Sequence, residues 1–189
     1  MIEFESDIQN CLPVLRAGGV ILHPTDTVWG LGCDATNESA VSEIYALKQR
    51  PLTMPLIVLV PDEQDVLQHV AAPDLALFDY LKTCNQPTTV VYEGAIGFAS
   101  NLLGADGSIA IRICADPFCR ALLKRFGKPI VSTSANLHGS PTPSCFADID
   151  PALIGKVGHV VGFRQSDPTK ARSSTLIRWE KGVPMILRP

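Results

Sequence analysis

Residues 109–136 read IAIRICADPFCRALLKRFGKPIVSTSAN, and this stretch decides the fold class. Ile109–Ile113 is a short run rich in β-branched residues and reads as a strand. Asp116-Pro117 offers a cap with proline in the first turn and Gly127 offers a stop, which predicts a helix over Asp116–Phe126. Pro129–Val131 then opens a second strand, which runs into the small polar cluster Ser132-Thr133-Ser134-Ala135-Asn136. Strand, helix and strand in succession point to an α/β domain.

The same punctuation recurs on both sides. Val20–Leu22, Leu56–Val60, Thr89–Tyr92, Val160–Val161, Thr175–Ile177 and Met185–Leu187 are apolar runs bounded by Gly, Pro, Asp or Ser, and each predicts a strand. Ala40–Leu47, Val66–His69 and Leu75–Lys82 predict helices between them. From His159 onward strands follow without helices, so the sheet is expected to be mixed, twisted and open, with flanking helices. Gly162–Ser174 is polar and rich in breakers, and reads as a loop over a site.

The chain has 189 residues, 46% of them hydrophobic, enough for one core; a single domain over residues 1–189 is expected. A net charge of -3 and a pI near 5.8 argue against wholesale electrostatic coating of nucleic acid. Six cysteines are scattered without a C-x-x-C pair, and the four histidines complete no zinc pattern, so no metal site is expected. The acidic start MIEFESDIQN is unlike a signal peptide, and no apolar run approaches the roughly 20 residues of a membrane span. A cytoplasmic protein with reduced thiols is the expectation.

Four motifs carry chemistry. Gly30-x-Gly32-x-x-Ala35 matches a dinucleotide fingerprint, yet Pro24–Trp29 separates it from the strand, and the region where an acidic residue belongs holds Lys48 and Arg50. There is no Walker A sequence, so a nucleotide would be held differently. In Lys48-Gln49-Arg50-Pro51 the proline favours an extended Arg50, which would project Lys48 and Arg50 to one side as a polyphosphate clamp. Two cations ending a helix are equally read as partners of its dipole. Ser134 and Asn136 would share a face in an extended segment at a sheet's carboxyl edge; a hydroxyl-rich turn or cap is the plainer reading. The loop His23-Pro24-Thr25-Asp26-Thr27 offers hydroxyls to a small ligand or is an ordinary turn.

Taken in order, these segments resemble the YrdC-like family. Its P-T-[ED]-T-x-Y-G-L-G signature resembles Pro24–Gly32 with Trp29 for tyrosine, and its K-x-R-P is Lys48-Gln49-Arg50-Pro51. Its A-V-R strand appears as Ala110-Ile111-Arg112, its T-S-A-N as Thr133–Asn136, and its closing S-T and arginine as Ser174-Thr175 and Arg188. The likeness runs from about Val20 to Pro189. It implies a twisted open α/β sheet with a large concave face, and a synthase that joins L-threonine, bicarbonate and ATP, with Mg²⁺, into threonylcarbamoyl-adenylate and pyrophosphate. A separate transferase complex would then modify tRNA.

By this resemblance Thr27, Arg112, Ser134 and Ser174 contact threonine. Lys48, Arg50, Ser108, Asn136, Ser144 and Arg188 contact ATP, with Lys48 and Arg50 as the catalytic cations. The resemblance also admits a tRNA or double-stranded-RNA binding module, or a paralogue using another carbamoylated substrate. Met54 and Leu59 stand where many members have Asn and His, which implies a less polar pocket wall. The segment Asn85-Gln86-Pro87-Thr88-Thr89 departs from the family's P-G-P-x-T turn, and the additional C-terminal domain of longer members is not expected here.

Overall fold

Side chains that alternate across five central strands separate a helix-covered face from an open one. The computed structural model describes residues 3–189. Its elements are α1 (Glu5–Arg16), β1 (Ile21–His23), β2 (Gly30–Asp34), α2 (Glu38–Lys48), β3 (Ile57–Val60), α3 (Glu63–His69), α4 (Ala76–Thr83) and β4 (Thr88–Tyr92). Then follow β5 (Ile109–Ile113), α5 (Pro117–Phe126), β6 (Ile130–Ser134), α6 (Pro151–Ile154), β7 (His159–Val160), β8 (Thr175–Glu180) and β9 (Val183–Arg188). The strands form one sheet in the order β7-β1-β2-β6-β3-β5-β4-β8-β9. Three parallel pairs (β1/β7, β3/β5, β4/β8) stand among five antiparallel ones, so the sheet is mixed as expected.

Two cross-strand rows define the faces. Cys33 pairs with Val131, Val131 with Val58, Val58 with Ile111, and Ile111 with Val90; all five are buried. Helices α1, α2, α3 and α5 contact these strands and cover that face. One residue further along, Gly32 pairs with Ser132, Ser132 with Ile57, Ile57 with Ala110, and Ala110 with Val91. A step of one residue turns a side chain to the opposite face, and this second row is small and partly polar. The open face is therefore hollow because its side chains are short.

The capping chemistry is as the sequence predicts. The Asn37 side chain accepts from the amides of Ser39 (3.0 Å) and Ala40 (3.2 Å) at the start of α2. Asp116 accepts from the Cys119 amide at 2.9 Å, and Gly127 ends α5 in the left-handed region at φ 75°. Three elements were not expected, α1, β2 and the short α6. Helix α1 carries Pro13 within it and buries Ile8, Cys11 and Leu15. Strand β2 contains both glycines of the apparent dinucleotide fingerprint. A Cβ on Gly30 would stand 2.7 Å from Ser132 Oγ, and one on Gly32 would stand 2.8 Å from His23 Nε2. These glycines allow close packing inside a strand and do not form the strand-to-helix turn of a dinucleotide site.

His23 closes β1 with its ring 1% exposed; Nδ1 lies 3.1 Å from the Pro24 carbonyl, while Nε2 has no partner. Burial is the largest cause that lowers its pKa to about 4, against 6.5 ordinarily. The unfolded chain therefore takes up the proton first, and stability is lost as pH falls from 6.5 towards 4. Between pH 7 and pH 5 this group alone should remove about 2 kcal/mol of unfolding free energy. Urea unfolding of His23→Gln should show a flatter loss over that interval; a slope equal to that of the parent would show that His23 is not the titrating group.

Candidate active site

The hollow face encloses a cavity of about 510 Å³. Its wall draws on the loop after β1 (Thr27, Val28), the segment after α2 (Arg50, Thr53, Met54, Pro55), and the open-face row of the sheet (Ile57, Ala110, Arg112, Ser132, Ser134). The late loop and final strands add Ser173, Ser174, Leu176 and Arg188. Three arginines and several hydroxyls thus face one space, and no carboxylate belongs to the wall. Such a wall suits a ligand carrying several negative charges.

Arg112 is the deepest cation, 4% exposed on β5. One terminal nitrogen, Nη2, donates to Thr27 Oγ1 at 3.2 Å and lies 3.1 Å from Asp26 Oδ1. Its Nε is buried without a protein partner. A buried guanidinium with an uncommitted N–H is costly unless a ligand oxygen completes it. Thr27 is fixed in turn: Thr25 Oγ1 lies 2.9 Å from Thr27 Oγ1 and accepts from the Thr27 amide at 3.0 Å. On the other side Ser174, 2% exposed, shares a hydrogen bond of 2.7 Å with Thr89 Oγ1. Arg188 Nη2 donates to the Ser174 carbonyl at 2.9 Å. Ser108 donates its hydroxyl proton to Asp106 at 2.6 Å, leaving its oxygen free to accept from a ligand.

The structure brings Thr27, Arg50, Ser108, Arg112, Ser134, Ser174 and Arg188 to the wall. It corrects the expected placement of Lys48. Gln49 is left-handed (φ 51°), so residues 48–50 are not extended and Lys48 and Arg50 diverge. Lys48 turns inward, 1% exposed, and its ammonium donates to the carbonyls of Ser134 and Asn136 (2.6 Å for the latter) and to Asn136 Oδ1 at 3.4 Å. Burial, with the Arg50 charge beside it, pulls its pKa down to about 8. Arg50 goes the other way: Nε and Nη2 donate to the carbonyls of Met54 and Pro55, both at 3.1 Å, and its side chain borders the cavity.

Asn136 also stands behind the wall. Its amide donates to the Leu137 and Ser140 carbonyls (3.1 and 2.7 Å), and its oxygen accepts from Ser134 Oγ at 2.5 Å. Ser144 lies in an adjoining hollow of about 200 Å³ that meets the main one at Thr27, with its hydroxyl held by Asp148 at 2.8 Å. Met54 does line the cavity, whereas Leu59 is 1% exposed beside Arg112 in the ladder and forms no part of the wall. The expectation of a less polar wall therefore holds for Met54 alone. The residues missed by the sequence reading are Thr53 and Ser173 in the wall and Thr89 behind Ser174. Ser132, part of the polar cluster but given no contact of its own, joins the wall two residues before Ser134 on one strand face.

A family model covering Sua5, YciO and YrdC, described as telomere recombination, matches residues 13–189. The chain belongs to the Sua5/YciO/YrdC family. It is 36% identical over 182 residues to a threonylcarbamoyl-AMP synthase of Xanthomonas campestris pv. campestris, covering 91% of this chain and 97% of the relative. It is 34% identical over 183 residues to the enzyme of that name from Stenotrophomonas maltophilia, with 92% and 98% covered. Among solved structures it is similar to P. abyssi Sua5 complexed with L-threonine (TM-score 0.86, 26% identity, 98% of this chain) and spans only 54% of that longer protein. It shares its fold with E. coli YciO (TM-score 0.82, 24% identity, 97% of this chain and 88% of that one).

Lys48 ties the end of α2 to the segment that carries Ser134 and Asn136. Replacing it with Met leaves several buried oxygens without a donor, and should cost about 3 kcal/mol of stability. Calorimetric or urea unfolding of Lys48→Met checks this; an unchanged midpoint would show that the ammonium is dispensable to the fold.

Proposed function

We propose that this chain is an L-threonylcarbamoyladenylate synthase. The carrying observation is the buried Arg112 with its uncommitted Nε, at the floor of a cavity lined by cations and hydroxyls and without carboxylates. The names of relatives 34–36% identical over more than nine-tenths of the chain support the reading, as does the threonine complex of P. abyssi Sua5. The reaction joins L-threonine, bicarbonate and ATP into threonylcarbamoyl-AMP and pyrophosphate, a nucleotidyl transfer. The product would serve a tRNA-modifying threonylcarbamoyl transferase complex in the cytoplasm. No helix among the described residues is long and apolar enough to cross a membrane.

In this reading each residue has a task. Arg112 takes the threonine carboxylate, and Thr27, Ser134 and Ser174 offer hydroxyls around it. Carboxylation of the amine gives a carbamate, whose oxygen attacks the α-phosphorus while pyrophosphate leaves. Nucleophile and phosphates are both anionic, so their approach depends on positive charge already in place. Arg50 and Arg188 supply it from opposite rims, and Ser108 accepts a hydrogen bond from ATP. Mg²⁺ would arrive as the salt of ATP. In this scheme Lys48 and Asn136 act through the wall they support, and Ser144 acts from the adjoining hollow. Positioning and electrostatics then supply the rate, with no acid–base dyad.

Pyrophosphate release from ATP, bicarbonate and Mg²⁺ should depend on L-threonine when each amino acid is offered in turn. Release that is absent, or indifferent to threonine, would sink the synthase reading. Arg50→Ala should lower kcat by at least about a hundredfold with the melting midpoint preserved. A kcat within threefold of the parent would remove Arg50 from the transition-state contacts.

A further inference from the structure

Arg112 does not orient itself. Its strand places it in the cavity, but a guanidinium on a flexible stem can turn either edge to a ligand. Asp26 resolves this ambiguity. It lies between the two threonines of the loop after β1 and forms part of the adjoining hollow, not of the main cavity wall. Its Oδ2 accepts the Ala115 amide at 3.2 Å, which ties that loop to the turn after β5. Its Oδ1 lies 3.1 Å from Arg112 Nη2, and the side chains of Arg112 and Asp26 are only 5% and 12% exposed. Nη2 thus donates to the Thr27 hydroxyl and faces the Asp26 charge, whose Oδ1 accepts no hydrogen bond, while Nε is buried and uncommitted.

We propose that Asp26 is a positioning residue for amino-acid recognition: its charge holds the Nη2 corner of the Arg112 fork, so that the guanidinium stays in the cavity wall where the substrate carboxylate meets it. The inference rests on the synthase reading and adds to it a residue that touches neither substrate. A buried ion pair is also a countercharge. With Asp26 present, Arg112 enters the ligand-free cavity as half of a pair and not as a lone buried cation. Losing the carboxylate frees the fork to turn, and the entropy of fixing it again is then charged against ligand binding.

The test is a set of calorimetric titrations of the whole chain with L-threonine and, separately, with ATP. Neither titration depends on turnover. Asp26→Asn should weaken threonine binding at least about tenfold and leave ATP affinity within twofold. Asp26→Glu should restore most of the threonine affinity, because it keeps the carboxylate. In an Arg112→Ala background, Asp26→Asn should add no further loss, which a merely structural role would not predict. Unchanged threonine affinity in Asp26→Asn overturns the proposal, as does a loss that persists undiminished on top of Arg112→Ala. Should Asp26→Asn fail to fold, Asp26→Glu decides: affinity within threefold of the parent supports the proposal and a tenfold loss overturns it. A parent chain that binds threonine but releases no pyrophosphate would fail the synthase reading alone.

Discussion

The structure around the cavity depends on one buried ammonium. Lys48 sits at the last turn of α2, and its donors go to oxygens of Ser134 and Asn136, residues that leave the far end of β6. The Lys48 carbonyl accepts the His138 amide at 2.8 Å, so the two segments are tied in both directions. Taking an ammonium out of water is expensive unless oxygens replace the hydration. Here backbone and amide oxygens do so, and the lowered pKa records the residual cost of burial. This tie fixes where Ser134 stands and, through the left-handed Gln49, sends Arg50 towards the cavity.

Shape and charge at the site have separate origins. The hollow owes much to short side chains, since Gly30, Ser132 and Ala110 line it where Leu or Val would fill it, while the space beside Gly32 is taken by the His23 ring. The charge comes from three arginines on different elements: Arg50 after α2, Arg112 on β5 and Arg188 on β9. Each is held by a neighbour's carbonyl, hydroxyl or carboxylate, so their directions are set before a ligand arrives. Preorganisation of this kind is what an electrostatic mechanism needs, because donors that must reorganise spend their binding energy doing so.

Much of this was legible in the sequence because local rules carried it. Asp116, Pro117 and Gly127 delimit α5, and β-branched runs mark most strands, since caps and alternation act over a few residues. Strand β2 was hidden: Gly-Leu-Gly-Cys-Asp has poor strand propensity and becomes a strand through pairing with β1 and β6. Helix α1 was hidden by an internal proline and a polar composition; its apolar stripe shows only once α5 is beside it. Five motifs in order identified the family, and most of the expected site residues do meet. The placement of Lys48 failed for a local reason, a left-handed residue between Lys48 and Arg50. The partners of Asn136, and the neighbour that holds Ser144, are set by tertiary contacts that spacing does not reveal.

The central claim is that Arg112, held by Asp26 and Thr27, presents its guanidinium to the carboxylate of an amino acid. The most direct test is a crystal structure of the chain soaked with L-threonine. The account predicts one carboxylate oxygen at roughly 3 Å from a guanidinium nitrogen of Arg112, with Asp26 still beside Nη2. Threonine held instead by Arg50 or Arg188, out of reach of Arg112, would contradict it.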